Sequence, residues 1–585
     1  MRFPAEWYPK ARSVKRKIIM HVGPTNSGKT YNALRALAAA RSGVYAGPLR
    51  LLAHEVWERL NNGSISIMPI SLLPEKTPSK RPVVAGHVTS SQGRNSASST
   101  RRQGLVSCTI EMLPVHTFYD VAVIDEIQML GDPERGLSWT HALLSVCASE
   151  VHLCGEATVV DLVRRIASET GDELVVNEYQ RLTPLVVSPS LDGDLSLVTK
   201  GDCVVSFSRS KIFDLKQSIE RKTGLKCAVA YGRLPPEVRS EQAQYFNDPE
   251  SGFDVMVASD AVGMGLNLKI KRVIFSNMSK WNGKEIQALS VSQTKQIAGR
   301  AGRFGLHSTS TVGEVTTLMA DELPRLRKAM NSVNPPISKA ILLIDLDRLQ
   351  VLYNTLPPGT GITGLYDVLD QLALPGTNYS PHGFFNFTAA AQFIDREVRG
   401  ASFQECMKIM NSPTAWSEPA IAEVTSVFIQ TYLRDISVDL SRILTQNGSM
   451  DALRTSQSLE KKDAMKLDAT SLVSDDHSSG VVKSEKSKQE RYQLLSVLEL
   501  MHKTLGLYLW FSYRLPLGFS QQSLAFELKE EVERSIDYLL NTVISAKKRD
   551  RLDSEVAHLE RSTAPKGFTW EQGAIAKSKA AHSIF

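Results

Sequence analysis

The segment Gly23-Pro24-Thr25-Asn26-Ser27-Gly28-Lys29-Thr30 sets two glycines, a lysine and a hydroxyl at the spacing of a phosphate-binding loop, G-x-x-x-x-G-K-T. Such a loop lets backbone N–H groups and a helix N-terminus surround a polyphosphate. Lys29 can then neutralise the β- and γ-phosphates, and Thr30 can ligate Mg²⁺. The chemistry needs a strand before the loop and a helix after it. The apolar run Ile18–Val22 and the helix-prone stretch Tyr31–Arg41 supply both, which a chance match in a glycine-rich turn would not have.

Two further segments fit the same chemistry. In Val121-Ala-Val-Ile-Asp125-Glu126-Ile127-Gln128, four apolar residues run into two carboxylates, as at the C-terminal end of a sheet strand. Asp125 can hold Mg²⁺, directly or through water, and Glu126 can orient and deprotonate an attacking water. In Gln296-Ile-Ala-Gly299-Arg300-Ala-Gly302-Arg303, two arginines three apart share one face at a helix start. Their guanidinium groups can reach a γ-phosphate across a cleft, although a surface basic helix would carry the same residues.

The elements that must position these groups are an α/β framework. Ile18–Val22, Val44–Ala46, Val121–Ile124 and Val151–Cys154 read as strands of one parallel sheet. Cys203–Phe207, Ala228–Ala230, Val255–Ala258 and Val273–Phe275 form a second series, with a boundary near Pro184–Gly201. Ser90–Thr100 reads as a solvated loop. Pro335-Pro336 ends the second series, and the strand signal then fades. Ile341–Leu356 has helical spacing, and Leu494, Leu498, Met501, Leu505 and Leu509 fall on one face of a long helix. Trp510 and Tyr513 in that helix read as core residues. Residues 451–490, rich in Ser, Lys, Asp and Glu, read as a disordered linker, and the tail from about 561 as weakly ordered.

Composition sets the outer bounds. A chain of 585 residues exceeds one core, so about three or four domains are expected. There is no run of 18 apolar residues, so no membrane span is expected. The net charge of +6 permits a polyanionic partner without demanding one. The six cysteines have neither zinc spacing nor a disulfide pattern, and His54, His87 and His141 lack partners at ligand spacing. The basic N-terminal stretch (Arg2, Lys10, Arg12, Lys15, Arg16, Lys17) reads as a solvated lead-in to the first strand. The remnant of an organelle transit peptide is the alternative.

Together the three chemical segments resemble a superfamily 2 helicase of the DExH type. Gly23–Thr30, Gly47–Val56 (GPLRLLAHEV), Asp125–Met129 (DEIQM), Leu153–Ala157 (LCGEA), Tyr231–Pro236 (YGRLPP), Ala258–Leu268 (ASDAVGMGLNL), Gln296–Gly305 (QIAGRAGRFG) and Tyr508–Arg514 (YLWFSYR) resemble the Suv3 family of mitochondrial RNA helicases. The resemblance implies an α/β fold of two tandem RecA-like P-loop domains, 1–185 and 186–335. A mainly helical C-terminal region follows: a helical domain at 336–450, the linker at 451–490, a Suv3-type helical segment at 491–550 and a tail at 551–585. It implies ATP and Mg²⁺ as cofactors, with Lys29, Asp125, Glu126, Gln296, Arg300 and Arg303 catalytic. Gly23–Thr30, Gly263 and Gly265 would bind the nucleotide, and Thr30 and Asp125 the metal. Pro48, Leu49, Arg50, Thr109, Ser206–Arg209 (Ser208 and Arg209 foremost) and Ser259 would lie along the nucleic-acid backbone, where contacts position a strand without reading its sequence. Asp260 with its neighbours would bridge RNA and ATP, and Gly155–Thr158 would couple the two sites.

The family implies 3′→5′ translocation on single-stranded RNA, duplex unwinding, a matrix location and a 3′–5′ exoribonuclease partner of RNase II type or polynucleotide phosphorylase. RNA, DNA and hybrid substrates all stay open. Two departures stand out: Ala85–Thr89 lacks the family's acidic element, and Ser259 replaces the usual threonine. The missing upstream glutamine motif suggests loose adenine recognition. A ribonucleoprotein-remodelling ATPase that does not separate strands is the enzymatic rival, and a non-enzymatic scaffold the other.

Overall fold

The structure, a computed structural model, describes residues 4–65, 86–87, 104–263, 267–281, 285–302, 312–342, 344, 346–372, 377–380, 387–398, 400–416, 418–435, 437–469 and 480–542. Gly265, Arg303, the loop Ser90–Thr100 and the tail at 551–585 lie outside the described residues.

The first sheet contains β1 (Lys17–Val22), β2 (Gly43–Gly47), β3 (Gly86–His87), β4 (Leu105–Thr109), β5 (Phe118–Ile124), β6 (Cys147–Gly155) and β7 (Glu173–Glu178). Its order is β3-β4-β2-β5-β6-β1-β7, and every pairing is parallel. The chain then enters β8 (Leu185–Val187), β9 (Asp202–Val205), β10 (Lys226–Ala230), β11 (Phe253–Ala258), β12 (Arg272–Phe275), the antiparallel ribbon β13 (Ser279–Trp281) and β14 (Ile286–Ala288), and β15 (Gly313–Thr317). The second sheet is parallel, with order β10-β11-β9-β12-β15-β8. Central strands such as β2 and β9 are buried along their whole length, as parallel strands covered on both faces must be. Gly43 is required there: a Cβ would come within 2.9 Å of the Val121 carbonyl.

After the second sheet the chain first returns to the first. The parallel ribbon of β16 (Ala340–Ile341) and β17 (Tyr379–Ser380) packs its Ala340 and Tyr379 into the first sheet's core. The expected helix at 341–356 is therefore shortened to Leu346–Thr355, because Ile341 pairs as a strand. Beyond it the described C-terminal region is otherwise helical, ending in Ser449–Ala469, Gly480–Arg514 and Gln522–Thr542. Leu498, Met501 and Leu505 are fully buried and share a core with Val204, Val229 and Val257 of the second sheet. Burial of each such side chain contributes roughly 1.5–3 kcal/mol. Tyr508 and Phe511 are also buried, and Trp510 is partly buried with the Arg514 guanidinium over its ring.

Two expectations need correction. Residues 451–490 are not a disordered linker where described: a helix covers Ser449–Ala469 and another begins at Gly480. Its first turns bury Ala452, Leu453 and Ser456, and Asp463 accepts bonds from Arg491 (2.8 Å) and Tyr538 (2.7 Å). Nor is the basic lead-in simply solvated. The Arg16 side chain is fully buried, pairs with Asp172 and donates to the Leu143 (2.8 Å) and Val146 (3.2 Å) carbonyls, while Arg12 donates to Thr170 and Leu144. Their counter-charge lies 156 residues downstream of Arg16. All six cysteines are free and buried.

Candidate active site

The phosphate loop joins β1 to the helix Lys29–Ala39. Asn26 (φ +60°) and Gly28 (φ +78°) take the left-handed conformation, which turns the chain sharply ahead of the helix. Gly23 must lack a side chain, since a Cβ would stand 2.5 Å from the Tyr179 carbonyl. Lys29, at the first turn of the helix, donates to the Pro24 carbonyl at 3.1 Å. Ser27 is buried, and its hydroxyl has no partner within the protein. An orphaned donor inside a loop of left-handed glycine turns at a helix N-terminus fits a phosphate chain.

The two residues expected to ligate a metal, Thr30 and Asp125, are adjacent. The Thr30 hydroxyl donates to Asp125 Oδ1 at 3.2 Å, and the Tyr45 hydroxyl to Oδ2 at 3.0 Å. Asp125 is buried at the end of β5, and its carboxyl is pushed up to about 6. Burial is the main cause, neighbouring Glu126 the second, and Lys29 opposes both. Two carboxylates side by side with a hydroxyl, and too little fixed positive charge, suit a hard divalent cation. Glu126 has φ +54°, and its carboxylate accepts from the Gln128 amide. Gln128 Oε1 accepts from Glu156 N at 3.2 Å, so this amide ties β5 to the segment after β6. Glu156 in turn accepts from Asn334 (2.9 Å), and burial raises its carboxyl. The buried Trp139 indole holds the Asp125 carbonyl at 2.8 Å.

The second unit closes the other side. The helix Val291–Ala298 starts on a Ser290–Gln293 capping box and leads into Gly299 and Arg300. Gln296 lies beside Gly263. Arg300 is buried and donates to the Gly263 carbonyl through Nε (3.2 Å) and Nη2 (2.6 Å). Burial lowers its pKa, and Glu126, Glu55 and Asp125 pull the other way, so its guanidinium is within the field of the Asp125–Glu126 pair. Gly299 is pressed on the phosphate loop: a Cβ there would stand 1.8 Å from Thr25 Oγ1.

The expected RNA contacts sit at C-terminal ends of parallel strands, where open sheets bind ligands. In the first sheet, Gly47 and Thr109 are register partners. Leu49 caps the helix Arg50–Asn61, on which Arg50 is exposed. The Pro48 carbonyl accepts from Arg135 at 2.7 Å. In the second sheet, Ser208 is exposed, while Ser259 is nearly buried and accepts from Ala261 N at 3.1 Å. Arg209 differs from expectation. It lies beneath the C-terminal helix, donating to Ser496 (2.7 Å) and Glu499 (3.0 Å) with its guanidinium over the rings of Tyr492 and Tyr231. Sequence reading assigned no role to Tyr45, Gln128, Trp139, Arg181 or Asn334. Only Gln128 lies inside a recognised motif.

Comparison with known proteins agrees with this geometry. Residues 4–179 match the DEXQ-box helicase domain of Suv3, 190–305 the helicase conserved C-terminal domain, and 495–542 the ATP-dependent RNA helicase SUV3 C-terminal domain. The chain is 38% identical over 540 residues to the mitochondrial DExH-box ATP-dependent RNA helicase DExH16 of Arabidopsis thaliana, covering 92% of this chain and 83% of that protein. It is 39% identical over 541 residues to mitochondrial ATP-dependent RNA helicase SUV3 of Oryza sativa, covering 91% and 82%. For SUV3 of Candida albicans the identity is 38% over 540 residues, covering 92% and 70%. With both sheets, the cleft motifs and the C-terminal helices all accounted for, the chain belongs to the Suv3 family of ATP-dependent RNA helicases.

Proposed function

We propose that this protein moves 3′→5′ along single-stranded RNA, separates duplexes ahead of it, and passes the strand to a 3′–5′ exoribonuclease in the mitochondrial matrix. The observation that carries the reading is the cleft itself. Lys29, Thr30, Asp125 and Glu126 of the first unit face Arg300 of the second, with Gly299 against Thr25. Gly23–Thr30 would hold the triphosphate of ATP, with Gly263 across the cleft, and Gly265 is expected to share its role. Thr30 and Asp125 would hold Mg²⁺, which supplies neutralising charge to the phosphates when bound. Glu126, kept in place by Gln128, takes the proton of the attacking water. Arg300, with Arg303, stabilises charge in the transition state, and Gln296 aligns the approach.

Both sheets turn strand ends toward the RNA backbone, so changes in the cleft become alternating grip on a strand. Pro48, Leu49, Arg50 and Thr109 grip from the first unit, and Ser208 and Ser259 from the second. The relatives' names support the mitochondrial setting. Two measurements test the proposal: ATP turnover with and without single-stranded RNA or DNA, and unwinding of 3′-tailed, 5′-tailed and blunt duplexes. RNA-stimulated turnover with unwinding confined to the 3′-tailed duplex is expected. Turnover with no strand separation would make the protein a remodelling ATPase, and equal unwinding of a 5′ tail would overturn the polarity. RNA affinity should fall with salt with a slope of about −0.7 per neutralised phosphate and show little sequence preference.

A further inference from the structure

We propose that Arg181, in the connector between the two sheets, is a positioning residue that couples the phosphate loop to the arginine-bearing segment 296–302. The proposal rests on the ATPase reading of the cleft and adds a residue to it. Arg181 Nη1 donates to the Thr25 carbonyl (3.0 Å), the Thr25 hydroxyl (3.2 Å) and the Gly299 carbonyl (2.9 Å). Nη2 donates to the Ala301 carbonyl, and Nε to the Thr183 carbonyl at 2.8 Å. One guanidinium thus spans the phosphate loop, the connector and the two residues that flank Arg300.

The surrounding connector is built the same way. Tyr179 N donates to the Val22 carbonyl (2.8 Å), and Leu182 N to the Asn26 carbonyl (2.9 Å). On the far side, Gly313 N donates to the Pro184 carbonyl at 2.8 Å. The Asn26 amide donates to the Thr183 hydroxyl (2.6 Å) and to the Gly302 carbonyl (3.1 Å), and the Thr183 hydroxyl also donates to Gly302. The connector is a layer between two motifs, with Arg181 at its centre.

Two physical points give this arrangement a consequence. Burial alone lowers the Arg181 pKa to about 10, so the group stays cationic at neutral pH, and no carboxylate is among its partners. A half-buried cation held by carbonyl and hydroxyl dipoles, with no carboxylate beside it, loses stabilisation when any of them moves away. Separating the two units would strip Arg181 of Gly299 and Ala301, or of Thr25. It therefore favours the closed arrangement, in which Arg300 faces the carboxylates. Arg181 also bonds both the carbonyl and the hydroxyl of Thr25, which fixes that residue of the phosphate loop. Only a planar five-donor fork reaches both sides, so a lysine would keep the charge and lose the span.

The test compares wild type, Arg181→Lys and Arg181→Gln, with folding checked by thermal melting and Lys29→Ala as the zero-turnover control. RNA-saturated ATP turnover gives kcat and KM. Anisotropy of a fluorescein-labelled oligouridine with and without AMP-PNP gives the nucleotide-dependent gain in RNA affinity. Both variants should lose about 10-fold or more in kcat with KM changed less than about 3-fold, and should lose the gain in RNA affinity. If the Gln variant does not fold, the Lys variant decides. Wild-type kcat and affinity gain in a folded variant would overturn the proposal. So would a rise in KM alone, a lower melting temperature with unchanged kcat, or full rescue by lysine. Absence of turnover in wild type would instead refute the ATPase reading.

Discussion

Lys29 and Arg209 occupy equivalent places in the two sheets. Each is the first residue of a helix that follows a buried parallel strand, β1 in one case and β9 in the other. Lys29 is half-buried and bonds to a carbonyl five residues away, within its own loop. Arg209 bonds to Ser496 and Glu499, 287 and 290 residues away, between two tyrosine rings. One helix start is left open for an anion by a glycine loop, and the other is closed by the C-terminal helix, whose Glu499 supplies the negative charge. The duplicated architecture therefore leaves one of the two helix starts open. The second unit's corresponding position has become a dock for the helical region.

The largest effects should fall on the open side. Lys29→Ala should lower RNA-stimulated ATP turnover by about 10²- to 10³-fold, since the phosphate charge loses its side-chain partner. Glu126→Gln should slow turnover by on the order of 10²-fold while retaining ATP binding, because the amide cannot accept the water's proton. Near-normal hydrolysis by Lys29→Ala would erase the contrast drawn above. So would a comparable loss in Arg209→Ala with the melting temperature unchanged.

Next comes the dock. The Glu499 carboxylate is buried; burial raises its pKa and Arg209 opposes that. The hydroxyl of Tyr231 also donates to it. Glu499→Ala leaves a largely buried guanidinium without its counter-charge, so a loss of about 3 kcal/mol in urea unfolding is expected. Strand separation should suffer more than ATP turnover, because every residue proposed to contact phosphate lies in the two α/β units. Unchanged stability would show that the helix is held by apolar packing alone.

The same contrast explains what could be read from the residues. Strand, glycine loop and helix adjoin in the chain, so the phosphate loop and the Asp125–Glu126 pair were legible from spacing. Polar or edge strands were not: β7 carries exposed glutamates at both ends, and β15 reads Gly-Glu-Val-Thr-Thr. Arg16 looked solvated because its partner Asp172 is far along the chain. Arg181 gave no signal, since apart from neighbouring Thr183 its partners belong to two distant segments and are mostly backbone carbonyls. The helix Ser449–Ala469 was missed because composition averages around the helix, while among its described side chains Ser449, Ala452, Leu453 and Ser456 are the buried ones.

A pH experiment separates the two carboxylates. Glu499 has a fixed arginine, whereas for Asp125 burial and the Glu126 charge outweigh Lys29 and the hydrogen bonds from Glu126 N and Tyr45, and its carboxyl rises from 3.8 to about 6. Between those values the folded protein holds a proton that the unfolded chain has released. Stability from this group is thus full below about pH 4 and is lost as pH rises through 6. In the absence of nucleotide and Mg²⁺, Asp125→Asn should be more stable than wild type at pH 7 by on the order of 2 kcal/mol, with the gap closing by pH 4. Mg²⁺ with ATP should stabilise wild type at pH 7 and not the variant. A gap independent of pH would remove Asp125 as the titrating group.

The smallest expected effect tests whether the dock extends to the helix Ser449–Ala469. Asp463 receives the Arg491 guanidinium and the Tyr538 hydroxyl, so one carboxylate joins this helix to Gly480–Arg514 and Gln522–Thr542. The pair is partly exposed, at 15% and 27% of the two side chains, and solvent screens it. Asp463→Ala should therefore lower stability by only about 1 kcal/mol. None of the residues proposed to contact phosphate is among its partners, so ATP turnover should be unchanged. The local effect should exceed the global one: the anchor lies toward the helix's C-terminal end, past the buried turn at 452–456, so protease cleavage after Lys461 or Lys462 should quicken. Equal cleavage in both proteins, with equal urea midpoints, would show that Ala452 and Leu453 alone hold the helix.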